Sequence, residues 1–323
     1  MKGKYITAFL LLLVLVIAGI VVFDSKTDKV DTSSYLTTNP FEKDVEAYNT
    51  VVDSLISHKE TKQIRLNASA PKAIDYKDGE IYLLADDYVQ IIRTNGSEVK
   101  KTTVGEGATC LTVLKDKRVL VGFKDHLVLL GSDLTEMKHS VVSEKALFTA
   151  VASNGDLIFV ADAGLKRVVV FNNALVQVHS FKGESGVSDQ YGFIIPSAHF
   201  DLAVNGENEL WVVNPGMHAL QNYSDKGKLR GFWSKTSFET DGFSGCCNPF
   251  HIAFLPDGSF VTSEKGLVRI KIHEPSGLLR SVVAAPSCFK DERKAPDVAV
   301  DELGGILALD FERKMIRFFM TKN

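Results

Sequence analysis

"TAVASNGDLIFVADAGLKRVVVF", residues 149–171, packs three short strands into twenty-three residues. The first is apolar and ends at Asn154-Gly155, a dipeptide that favours a tight turn. The second runs to Asp162, the loop "ADAG" follows, and "RVVVF" makes the third. The same order of strand, polar turn, strand ending in an acid or amide, loop and strand returns along the chain. The further copies are "KAIDYKDGEIYLLADDYVQII" from Lys72, "CLTVLKDKRVLVGFKDHLVLL" from Cys110, "FDLAVNGENELWVVNPGMHALQNY" from Phe200, "HIAFLPDGSFVTSEKGLVRIKI" from His251 and "DVAVDELGGILALDFERKMIRFF" from Asp297.

The second strands end at Asp86, Gly122, Asp162, Asn214, Glu264 and Asp310, spaced from 36 residues (Asp86 to Gly122) to 52 (Asp162 to Asn214). Repeats of this length, each with three or four short strands, predict a β-propeller. One small sheet cannot bury both faces alone, whereas sheets stacked about an axis bury each other's. The fold expected is therefore all-β, a six-bladed propeller of NHL/TolB-like type spanning residues 61–320. After "MIRFFM" (315–320) only three residues remain, too few for a fourth strand of blade six. "TKQIRL" (61–66) is expected to supply it and to close the ring.

Ahead of the repeats, Lys2 and Lys4 precede "ITAFLLLLVLVIAGIVVF", an uncharged apolar run over residues 6–23. Its length is the minimum for a transmembrane helix, and no small-x-small cleavage site follows it. The lysines put residues 1–5 in the cytoplasm and the remainder outside, periplasmic in a Gram-negative cell. The reading is a signal-anchor; a cleaved signal peptide is the alternative. Residues 24–60 read as a linker, with Phe41, Val45, Tyr48, Val52, Leu55 and Ile56 spaced as a short amphipathic helix that packs on the domain behind it, the alternative being a partner. A net charge of −3 with 24% charged residues is ordinary for a globular chain and speaks against a nucleic-acid partner.

In a propeller, blade-to-blade connections and the loops after the second strands share one face. "IIPSAHFD" (194–201), "GFSGCCNPFH" (242–251), "ADAG", "VNPG" and "SEKG" should meet there. The candidate ligand face is thus Asp162, His199, Asp201, Asn214, His218, Cys246, Cys247, Asn248, His251, Glu264, Lys265 and Arg269. Asp162, Asn214 and Glu264 hold equivalent loop positions. Their oxygens suit the capping of loop amides, or the binding of Ca²⁺ or another divalent cation. Lys265 and Arg269 suit either an anionic ligand or surface ion pairs.

Four cysteines map to that face. Cys110 stands across the channel from Cys246 and Cys247, too far for a disulfide. For the adjacent pair four arrangements fit: a vicinal disulfide, a bond from either to Cys288 that staples blades five and six, a metal site drawing on His251, His218 or His199, or free thiols. No CxxC or HxxxH spacing supports the metal.

The span from about residue 62 to 320 resembles a bacterial family of six-bladed propellers with NHL-type repeats and a GCCNP motif. The matching stretches are "VADAG", "IPSAHFDLAV", "LWVVNPG", "GFSGCCNPFHIAFLPDGSFVTSEKGLVRIKI" and "SVVAAP". The resemblance implies the fold and a site on the cysteine-bearing face; it implies no reaction. Three function classes follow. One is a membrane-anchored module that binds a small ligand or an envelope protein. The others are a metal-dependent hydrolase like the six-bladed lactonases and a redox accessory that uses the cysteines. The lactonases' active-site motifs do not align with these repeats, so the binding module leads.

Overall fold

The structure, a computed structural model, describes residue 48 and residues 50–183, 192–290 and 294–322. The expected signal-anchor lies outside them. No helix among the described residues is long and apolar enough to cross a membrane.

Residues 58–321 form six four-stranded antiparallel sheets, each ordered from an inner to an outer strand. Five sheets use consecutive strands. The sixth takes the inner three from Asp297–Val300, Ile306–Asp310 and Met315–Thr321, and its outer strand from His58–Arg65. The closing strand therefore begins three residues earlier than the alternation of "TKQIRL" marks, with an irregularity between Glu60 and Lys62. That shift places Glu60 against Arg317, whose Nε and Nη2 donate to the two Glu60 carboxylate oxygens at 2.9 and 2.7 Å. Arg317 also donates to the Cys288 carbonyl at 2.7 Å and reaches Asp310 at 3.4 Å. One buried guanidinium thus joins the first strand, the last strand and the connection into blade six.

The expected helix over 41–56 needs correcting at its described end. Residues 50–52 are not helical, and a single 3-10 turn covers Asp53–Leu55. The apolar spacing is used differently: Val51, Leu55 and Ile56 pack on Val282 and Ala285 of blade five. Ile56 also forms a parallel bridge with Val282.

Each interface between neighbouring blades has its own apolar cluster, so the core is six wedges rather than one mass. Between blades one and two it is built from Tyr82, Leu84, Val89, Leu111 and Val121. Between blades four and five the filling is aromatic, with Trp211 and Trp233 packed edge-on against Phe260. The glycines of "ADAG" and "VNPG" are fixed by close approach. A Cβ at Gly164 would lie 2.4 Å from the Lys145 carbonyl oxygen, and one at Gly216 2.7 Å from that of Ile194.

Around the channel, side chains link one blade's inner strand to the next. Asp75 of blade one accepts from the Val113 amide and the Thr112 hydroxyl at 2.8 Å each. Thr109 donates to the Phe148 carbonyl at 2.8 Å, and Thr149 to that of Phe200 at 2.7 Å. Asp201 accepts from the Ile252 amide at 2.9 Å, and Asp297 from Ile74 at 2.8 Å, which returns to blade one.

Arg317→Ala is expected to destabilise the domain by about 3 kcal/mol, because it removes both hydrogen bonds to Glu60, leaves Asp310 to Arg313 and frees the closing strand. Arg317→Lys should recover only part of that, since the bidentate fork is lost. Urea unfolding of the purified domain measures both.

Candidate functional site

The inner strands enclose a channel cavity of about 900 Å³. At the start of the six inner strands stand Lys72, Thr109, Thr149, Asp201, His251 and Asp297, and all six line it. Five close hydrogen bonds to main-chain groups. His251 of blade five does not: its Nδ1 faces Asp201 Oδ2 and Asp297 Oδ1 at 3.5 Å each.

The three groups bias one another. Burial works against a charged imidazole, but the fields of Asp297 and Asp201 outweigh it and raise the His251 pKa. Burial, together with the charge of Asp201, pushes the Asp297 carboxyl up to about 6, against the opposing pull of His251. With Nδ1 turned to the acids, Nε2 is the nitrogen left for other chemistry. The cluster is thus a proton store in the channel wall.

Above it rises an aromatic wall. The His199 ring stacks on Phe250 at 4.0 Å and 7° between planes, and both rings stand edge-on to His251. Lys265 Nζ lies 5.0 Å from the centre of the Phe250 ring. Burial, and then the charge of His251, holds the His199 pKa well below its usual value while that of His251 is raised, so of the two rings His251 takes a proton first.

The cysteine-bearing connection is fastened on two sides. Asn248 donates through Nδ2 to the carbonyls of Ser244 and Lys265 at 2.7 and 2.8 Å, and its Oδ1 accepts from the Lys265 amide at 2.9 Å. His218 accepts from the Thr236 hydroxyl at Nδ1 and donates from Nε2 to the Gly245 carbonyl. Cys246 is exposed and Cys247 buried, with their sulfurs 2.9 Å apart.

Of the twelve face candidates, His199, Asp201 and His251 meet in the cavity wall, with Lys265 beside it. Cys246, Cys247, Asn248 and His218 form the fastened connection. The metal candidates are not brought together. Asp162 accepts from the Leu147 and Leu165 amides and pairs with Arg167 at 2.9 Å. Asn214 accepts from the Ile194 amide at 2.9 Å and donates to Gln221 at 3.2 Å. These are the capping roles that their loop positions also allowed.

Glu264 and Arg269 depart furthest from expectation. Both are fully buried, with Lys271, in an ionic cluster. Lys271 donates to Glu264 at 2.8 Å and to the Gly242 carbonyl at 2.6 Å; Arg269 reaches the Phe238 carbonyl at 3.4 Å. Arg269 therefore clamps the 236–245 loop and does not line the channel cavity. Among the described residues no group of three or more His, Cys, Asp or Glu is placed to hold a metal ion.

All four cysteines are free thiols in the structure, so neither the vicinal bond nor the Cys288 staple is formed. Cys288 packs with Phe289 in the cluster between blades five and six. Cys110 lines the cavity, and burial pushes its thiol up to about 12. Its sulfur occupies the space that a Cβ at residue 122 would need, which is why glycine stands there among the acids and amides of the other blades. Phe250, Asp297 and Lys271 were missed by the sequence reading. Asp297 had a usable signal, because it begins its inner strand as Asp201 and His251 begin theirs.

No protein-family model and no curated protein matches the chain. Solved structures do. A streptogramin B lyase aligns at 12% identity over 84% of this chain and 100% of its own, with a TM-score of 0.56. A catalytically inactive variant of virginiamycin B lyase from Staphylococcus aureus, with quinupristin, aligns at 12% over 82% and 100%, also at 0.56. A protein of unknown function from Bacteroides thetaiotaomicron aligns at 15% over 83% and 74%, again at 0.56. At these identities the likeness is one of propeller fold.

The proton store sets a pH dependence of known sign. Asp297 and His251 both hold protons more tightly folded than unfolded, so their contribution is lost as pH rises. For Asp297, moving from 3.8 to about 6 corresponds to on the order of 3 kcal/mol, lost between pH 4 and pH 6. The His251 part is complete below pH 6.5 and fades as pH climbs through its raised value. In Asp297→Asn the imidazole pKa should fall and this slope flatten. Imidazole proton shifts and urea midpoints across pH 4–8 check both.

Proposed function

We propose that the chain is a small-molecule-binding propeller of the cell envelope, tethered by residues 6–23 and holding its ligand in the channel cavity. The observation that carries this is the pairing of a cavity of ligand size with one protonatable side chain set between two carboxylates beneath an aromatic wall. The fitting ligand has a planar or apolar part to lie on Phe250 and His199, and a polar group to meet His251. The "GCCNP" connection and the NHL-type repeats support kinship with bacterial propellers of that kind. The apolar run after Lys2 and Lys4 supports the tether and an extracytoplasmic domain; an envelope protein is the alternative occupant of the face.

A second reading is favoured by the same histidine. His251 can give or take a proton at Nε2 with two acids behind it, as an acid–base enzyme requires. The lyase aligned above, in its inactive form, was solved with quinupristin, which makes that compound a direct probe.

A thermal-shift screen of planar organic acids, amines and amides against the exported domain tests the binding reading. Hits should raise the melting temperature and lose at least tenfold in affinity in both Phe250→Ala and His251→Ala. No hit across such a library would count against it. Incubation with quinupristin, followed by mass spectrometry, separates the two readings: we expect the compound unchanged, whereas consumption abolished by His251→Ala would establish the enzyme. Fractionation should place the full-length chain in membranes, and removal of residues 1–23 should release it.

A further inference from the structure

We propose that Cys246 and Cys247 form a reversible dithiol–disulfide couple that exchanges with low-molecular-weight disulfides on the connection face of the propeller. Three observations converge. The sulfurs stand 2.9 Å apart, one exposed and one buried, so an incoming disulfide meets Cys246 while Cys247 waits behind it. The connection is held by His218 at Gly245 and by Asn248 at Ser244 and Lys265, which keeps the pair presented. Burial works against a Cys247 thiolate, but the neighbouring Cys246 thiol, then Ser197 and Lys265, outweigh it and lower the Cys247 pKa. The hydrogen bond to Cys247 raises that of Cys246.

Loss of one proton from the pair to solvent leaves a thiol and a thiolate in contact, and passage of the remaining proton to Cys247 puts the thiolate on the exposed sulfur. That thiolate attacks one sulfur of R–S–S–R′, forming a Cys246–S–S–R bond and expelling R′–S⁻, which takes a proton from water. Cys247 then gives its proton to solvent and, as thiolate, attacks the Cys246 sulfur, closing the bond between adjacent residues and expelling R–S⁻, which takes a proton from water. The protein gives up two electrons and two hydrogens; the disulfide leaves as two thiols. Excess thiol runs the sequence backwards. Cys110 is excluded from such chemistry by its burial; Cys288 is only partly buried and packs against the apolar cluster between blades five and six.

The test equilibrates the folded domain in buffers of graded reduced-to-oxidised glutathione, quenches in acid, alkylates and maps tryptic peptides. The peptide Thr236–Lys265 should pass in one transition to a form two hydrogens lighter, reversed by dithiothreitol, with little glutathione attached along the way. Cys247→Ser should trap glutathione on Cys246 at least tenfold more than Cys246→Ser traps it on Cys247. Two free thiols at every ratio, a cross-link to the Cys288 peptide, or equal trapping by both variants would overturn the proposal. The unsubstituted protein supplies the first two readouts, so a variant that fails to fold leaves the test intact. The exchange needs no ligand in the cavity, and its failure leaves the binding reading standing.

Discussion

Five of the six blades pass a side-chain hydrogen bond to the main chain of the next, and the rest of the molecule is arranged around that ring. The apolar wedges between blades hold most of the burial energy, but burial is non-directional and sets no register. The bonds from Asp75, Thr109, Thr149, Asp201 and Asp297 do set it, because each joins a side chain at one height on its strand to a single main-chain group on the next. Arg317 and Glu60 complete the closure at the rim, where the two ends of the domain meet. A ring so determined can tolerate one position that does something else.

That position is His251. Between blades five and six the link is an ionic contact at 3.5 Å instead of a short bond to a peptide group. Ionisable groups buried together are costly, and a threonine or aspartate as used in the other blades would serve closure better. A site where local structural logic yields to charge is where function is expected. The neighbouring carboxylates are not free agents, since each also accepts from a main-chain amide. Their geometry is therefore fixed by the fold, and His251 inherits a fixed environment.

Much of this was legible in the sequence, for identifiable reasons. Six copies of one strand–turn–strand pattern determine the architecture, because strand ends and turns leave local signals in Gly, Asp and Asn. The closing strand was found from the shortfall after Met320, though not its start at His58, since "HKE" carries no alternation. Glu264 and Arg269 were misjudged because position in a repeat predicts the height of a side chain and not what packs on it. The Phe238 and Gly242 carbonyls of the connection before blade five take up Arg269 and Lys271, partners that position in the repeat does not reveal. Lys271 was invisible for the same cause: it stands where Val169 and Leu129 are buried in other blades, and only its partners show how a lysine is held there.

The buried cluster explains why this connection can carry reactive groups at all. Ten residues from Thr236 to Gly245 contain almost no regular structure, yet their carbonyls at Phe238 and Gly242 are held by Arg269 and Lys271 from within. Burying two cations with one carboxylate is expensive on its own. Here the second cation finds a carbonyl and the face of Phe243, with Nζ 4.3 Å from the ring centre. The arrangement converts an irregular loop into a rigid arm that ends at Cys246. Beyond the cysteines, Asn248 ties the same chain to Lys265, and Phe250 then turns into the channel wall beside His199. The thiol pair and the cavity are consequently two ends of one braced segment, so a change of bond at the sulfurs would be felt first at Lys265 and Phe250, where a ligand would rest.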